Sequence, residues 1–268
     1  MSRRFNPTSI LFALLGAALF LNLVVPIANL FLQSDWPMSL RAMRQPQAID
    51  ALRVSVLTST IALLIISLTG VPLGYLLARA KLPFKRFWIG LTFLPLVLPD
   101  LAGGILLLQL YGPYGTIGRP FDAGNIPLTG NLCGIVLVQI FVAAPFVIVS
   151  ALAAFLSVDP ELESAARTLG DSSWQVFCRI SLPLAWPGIA AGITLAWIRG
   201  LGEFGATLIM AYNPHTLPVF LWVKFETDGM AGALPIALCL LLLAATAVAV
   251  SMNLGRLKRL SDVLTPLG

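Results

Sequence analysis

The chain has 268 residues, a formal net charge of +5, 58% hydrophobic residues and only 11% charged ones. Soluble domains carry roughly 25% charged residues, so this composition, with a mean hydropathy of +0.90, argues against a soluble enzyme or a nucleic-acid-binding module. The basic residues fall in short groups between apolar runs, as topology signals do.

The first run, Ile10 to Leu32, follows a basic start at Arg3 and Arg4. It is too long for a signal-peptide core and no cleavage-site pattern follows it, so it is predicted to remain as a transmembrane helix. Further apolar stretches at 54–78, 88–110, 132–157, 184–211 and 233–254 each reach the roughly 20 residues that cross a bilayer. The expected fold is an all-α integral membrane protein, a single domain over 1–268 with about six transmembrane helices. The polar joints are 33–53, 79–87, 111–131, 158–183 and 212–232, with a tail from 255.

With the N-terminus in the cytoplasm, the inner segments hold Arg3, Arg4, Arg79, Lys81, Lys85, Arg86, Arg167, Arg179, Arg256, Lys258 and Arg259. The outer ones hold Arg41, Arg44, Arg53, Arg119 and Lys224. This asymmetry predicts a plasma-membrane protein with both ends cytoplasmic. Pro72, Pro95, Pro99, Gly103, Gly104 and Pro145 interrupt the spans, and such breaks suit a bundle lining a polar passage better than a passive anchor.

In the third span Asp100 follows Pro99, about 12 residues in, near the midplane by count. Ionisable groups at that depth are paired or functional. The expectation for Asp100 is a structural hydrogen bond beside a translocation route.

The loop 158–183 is written as two short helices. Asp159 is placed to cap the first, Pro160 to begin it, Glu161 to lie in its first turn, and Gly170 to end it. Leu162, Ala165, Ala166 and Leu169 recur at helical spacing as one apolar face. Ser172 and Gln175 have capping-box spacing; Trp174, Phe177 and Cys178 form a second apolar face, and Pro183 is expected to stop that helix. Such a pair either packs under its own bundle or docks into a partner.

In the fifth span, Gly188, Gly192, Ala196 and Gly200 form a small-residue stripe that admits a neighbouring helix closely. On another face Arg199, Gly202, Glu203, Ala206 and Thr207 follow helical spacing. At about 1.5 Å per residue, Arg199 and Glu203 lie roughly 22 and 28 Å from Leu184, in the outer half of the membrane. They read either as a neutralised ion pair or as a polar stripe on a pathway, with Thr207 beside them.

The loop resembles the EAA loop of ABC-importer permeases: Ala165, Ala166, Gly170, Ile180, Leu182 and Pro183 match in register, and Ser164 stands where the family usually has glutamate. "GEFGAT" from Gly202, "LPLVLP" from Leu94 and "VAAPFVIVSALAAF" from Val142 are similar to molybdate-type oxyanion permeases. The resemblance implies a permease subunit importing molybdate or tungstate, with sulfate or thiosulfate as the alternative substrate. It implies that Glu161, Glu163, Ser164, Ala165, Ala166, Gly170, Trp174 and Pro183 form the ATPase-coupling surface. It further implies a second copy of the chain, two ATPase subunits carrying ATP and Mg, an extracytoplasmic binding protein and surrounding lipid.

No GxxxxGK[ST] run occurs in the sequence, so a phosphate-binding engine would have to be another polypeptide. An autonomous secondary transporter would fit Asp100, Arg199 and Glu203 alone, but has no need of a capped docking pair. An intramembrane protease is disfavoured by a single histidine, His215, and by the lack of HExxH or GxSG. Cys133, Cys178 and Cys239 are scattered and give neither a disulfide framework nor a metal site. No catalytic residue and no bound cofactor are expected.

Overall fold

The computed structural model describes residues 7–264, and among these it contains helices and connecting turns without strands. Residues 1–6 and 265–268 lie outside the described residues, and with them Arg3, Arg4 and both expected cytoplasmic ends. In chain order the helices are α1 (Pro7–Gln33), α2 (Trp36–Met43), α3 (Pro46–Arg79), α4 (Lys85–Val97), α5 (Asp100–Tyr111) and α6 (Gly118–Ala123). They continue as α7 (Leu132–Leu156), α8 (Pro160–Thr168), α9 (Ser173–Val176), α10 (Leu182–Leu201), α11 (Gly205–Met210) and α12 (Leu217–Leu264).

Helix α7 is the centre. Half of its most apolar stretch is buried, with α3 on one side and α10 on the other. Residues without side chains permit that closeness: a Cβ on Gly74 of α3 would lie 2.7 Å from Ala151 Cβ, and one on Gly192 of α10 would lie 2.4 Å from Ser150 Cβ. Gly188 likewise faces Ala154. The small-residue stripe of the fifth span therefore serves packing within the chain. Ile66, Leu77, Val147, Ala151, Phe155 and Ile189 fill the core between these three helices. Helix α1 stays at the periphery, with no residue of its apolar stretch buried.

Four expectations need correction. The third span is not one rod: α4 and α5 are bent by 111° at Leu98 and Pro99, because proline lacks an N–H and biases the residue before it away from helix. The fifth span breaks at Gly202–Phe204 between α10 and α11. The joints at 33–53 and 212–232 are largely helical, since α2 and the starts of α3 and α12 occupy them. Helix α12 then turns at Gly229, whose φ of 66° a glycine adopts readily.

Pro183 does not stop a helix either. A π-helical turn, Phe177–Ser181, precedes it, and Leu182 N–H donates to the Phe177 carbonyl. The i→i+5 register leads α9 into α10 despite the missing proline donor, giving one continuous apolar helix from Ser173 to Leu201.

Candidate functional site

The loop between α7 and α10 is locally well specified. Asp159 accepts the N–H of Glu161 at 2.9 Å. At the other end, Gly170 adopts φ +102°, with Asp171 N–H donating to Ala166 O and Gly170 N–H to Arg167 O. That pair of bonds is a Schellman motif, which satisfies the last carbonyls of α8. The capping box at α9 is complete in both directions, at 2.7 and 3.3 Å.

Glu163 occupies the centre of the loop's inner side, 1% exposed. Arg79 Nε donates to both of its carboxylate oxygens at 3.0 Å, and Ser181 Oγ donates to Oε1 at 2.8 Å. Arg79 also donates to the Val158 carbonyl at 2.8 Å, and Arg167 approaches Glu163 at 3.6 Å. One carboxylate thus ties α8 to the last turn of α3 and to the π-helical turn before α10, while Arg79 extends the link to Val158 just after α7. Glu163 was expected on the partner-facing side; its charge is instead consumed inside the chain.

The apolar face expected from Leu162, Ala165, Ala166 and Leu169 is split. Ala166 is buried beside Glu163, whereas Leu162 is 49% and Leu169 89% exposed. Trp174 is 71% exposed but stacks on Phe177 at 5.6 Å, and Phe177 contacts Tyr75 and Phe155 of the core. Glu161, Ser164 and Ala165 are exposed. Leu162, Leu169 and Trp174 thus present apolar side chains outward from a base held by Glu163. Sequence reading missed Arg79, Ser181 and Tyr75, which lie on other elements; Arg79 had registered only as a topology charge.

The second constellation lies where the two helix breaks meet. Arg199, in the last turn of α10, donates through Nη1 to Glu203 at 2.6 Å and through Nη2 to Asp100 at 2.6 Å. Glu203 is not on a continuous stripe: it sits in the break, where it accepts the N–H of Ala206 at 2.8 Å and so satisfies a free donor at the start of α11. Gly205 allows the approach of Asp100, since a Cβ there would stand 2.9 Å from Asp100 Cβ. Gly104 rests on Ala206 in the same way, since a Cβ on Gly104 would stand 2.8 Å from the Ala206 Cα. Thr207 is buried, and its hydroxyl has no partner among the described residues.

Gly200 packs near Ser59, and Trp197 Nε1 donates to Ser59 Oγ at 3.2 Å, which sets the end of α10 beside the middle part of α3. The bend at Pro99 brings Asp100 to the level of Arg199.

Residues 70–259 match the family described as the binding-protein-dependent transport system inner membrane component. The chain belongs to this family. It is 43% identical, over 90% of its length and 88% of the relative's, to a protein of Haloferax volcanii described as a probable molybdenum ABC transporter permease. It is 41% identical, over 92% of both chains, to the molybdate/tungstate transport system permease of Thermococcus kodakarensis. Among solved structures, a bacterial ABC transporter involved in alginate import contains a chain with the same fold, at TM-score 0.70 and 17% identity, covering 93% of this chain and 95% of that one. The permease is thus an integral membrane component of a transport system.

Proposed function

We propose that this chain is the membrane-spanning subunit of an ABC importer for a tetrahedral oxyanion, molybdate or tungstate. The observation that carries the reading is the near-full-length similarity to permeases described for those anions. The anchored loop supports the mode of action: a capped helix fixed by Glu163 and edged by Leu169 and Trp174 transmits rigid-body motion that a slack loop would absorb. Two copies would enclose the passage and bind two ATPase subunits, which supply ATP and Mg chemistry, through the loop. An extracytoplasmic binding protein would deliver the anion. On this reading Glu161, Ser164, Ala165, Gly170 and Trp174 shape the ATPase contact, Glu163, Ala166 and Pro183 hold the loop in place, and Asp100, Arg199, Glu203 and Thr207 border the anion route.

The test is reconstitution in vesicles with the cognate ATPase and binding protein. Binding protein loaded with molybdate or tungstate should raise ATP hydrolysis and drive uptake, while sulfate-loaded protein should not. Uptake that follows an ion gradient without ATP would overturn the reading in favour of a secondary transporter.

The orientation is tested independently. Asp122 lies in an exposed segment expected outside, and Lys81 in an exposed segment expected inside. In a background without native cysteines, a cysteine at position 122 should react with an impermeant reagent in intact cells, and one at position 81 only after lysis. The reverse pattern would invert the topology.

A further inference from the structure

The two carboxylates on Arg199 are held differently. Glu203 is fully buried and fixed from two sides, by Arg199 and by the Ala206 N–H. The Asp100 side chain is 46% exposed and reaches Arg199 from the open side, the Arg199 side chain being 26% exposed. The cluster of one cation and two carboxylates carries a net negative charge, so it repels an approaching anion. The exposed flank cannot be turned to hydrocarbon, because charges facing lipid are strongly unfavourable. It faces a second copy of the chain or a wet passage.

The surrounding backbone lets the two carboxylates behave differently. Asp100 begins α5, and α5 seats on α11 through Gly104 and Ala206. The break at Gly202–Phe204 separates that pair of helices from α10, which carries Arg199. A shift of α5 and α11 relative to α10 parts Asp100 from Arg199. Glu203 sits in the break itself and keeps the guanidinium, the bond from the Ala206 N–H of α11 being the one that yields.

We infer that Asp100 is an exchangeable counter-ion for Arg199: it occupies the guanidinium edge that a transported dianion takes, and it must leave for the anion to pass. This rests on the permease reading above and adds a specificity-determining residue to it. With Asp100 in place the route is closed electrostatically, as well as by packing. When Asp100 departs, Arg199 offers an oxyanion the Nη2 donors that Asp100 held, while Nη1 stays on Glu203. When Asp100 returns, it competes the anion off, so the site does not become a trap.

The experiment uses the purified complex of permease and ATPase without its binding protein, titrated calorimetrically with sodium tungstate and, separately, sodium sulfate. Asp100→Asn removes the competing charge at nearly constant size, and should bind dianion at least about tenfold more tightly than wild type. Asp100→Glu keeps the competitor and should stay at wild-type affinity. Asp100→Ser, a residue that starts helices well, replaces the asparagine variant if that one does not assemble. An assembled Asn or Ser variant with wild-type anion affinity overturns the inference. So does failure of both to assemble, since a group on which the fold depends is not free to leave. A variant that gains affinity for sulfate rather than tungstate supports the exchange and revises only the substrate. ATP-independent uptake by the wild type would instead count against the importer reading, so the two failures are told apart.

Discussion

Replacing Glu163 with alanine is expected to leave the spans inserted but to release the loop between α7 and α10 and abolish substrate-stimulated ATP hydrolysis. Arg79, only 18% exposed in its side chain, would lose the carboxylate that binds its Nε and Nη2, and Ser181 would lose its acceptor. Breaking a buried pair from one side leaves an uncompensated charge and costs about 3 kcal/mol or more. The unfolding temperature of the detergent-solubilised chain should fall accordingly. Glu163→Gln should fall between, because one amide oxygen still accepts while the charge is gone. Leu169→Glu is the complementary change: it alters the exposed edge without touching the anchor. It should block co-purification of the ATPase while the unfolding temperature stays put. Equal stability and equal stimulation in Glu163→Ala would remove the anchor role.

The difference between these two variants also shows what was legible in the sequence. Caps and terminators are local, so Asp159, Gly170, Ser172 and Gln175 announce their bonds within a few residues, and the structure contains each of those bonds. The inward or outward sense of the α8 residues is not local. Glu163 turns inward to meet Arg79, 84 residues earlier in the last turn of α3, and no spacing rule relates the two positions. The spacing within α8 puts Leu162 and Leu169 on its apolar face, yet in the fold both are exposed and Glu163 is buried.

The membrane segments divide along the same line. Apolar length locates α1, α3, α7 and the run from α9 into α10, because the bilayer sets a minimum that sequence displays directly. Proline marks positions where a helix can fail without saying whether it will. Pro72, Pro145 and Pro187 lie inside intact helices, whereas Pro99 stands at a 111° bend. At Pro99 the chain gains a compensating contact, the bond from Arg199 to Asp100 across 99 residues. Gly104 and Gly205 were visible as small residues, but their purpose, seating α5 against α11, appears only once both breaks are brought together.

Arg199→Ala should be the most damaging single change within the membrane. It leaves Glu203, fully buried, with only the Ala206 N–H, and leaves Asp100 without its cation. Removing one side of a buried charge cluster costs roughly 3–5 kcal/mol, so the variant should fail to accumulate in the membrane, which immunoblotting of membrane fractions checks. Failure of that kind says nothing about anion passage. The variant that separates the roles is Arg199→Met with Glu203→Gln and Asp100→Asn, which removes all three charges at similar volume. Replacing a buried ionic cluster by neutral groups of like size is often close to neutral for stability, so this variant should assemble with its ATPase. A dianion entering a low-dielectric passage still has to replace its hydration, and here no guanidinium would meet it. Uptake should therefore fall at least about tenfold, and the tungstate affinity gained by Asp100→Asn alone should be absent. A triple variant that assembles and transports at the wild-type rate would reduce the cluster to a structural clasp between two broken helices.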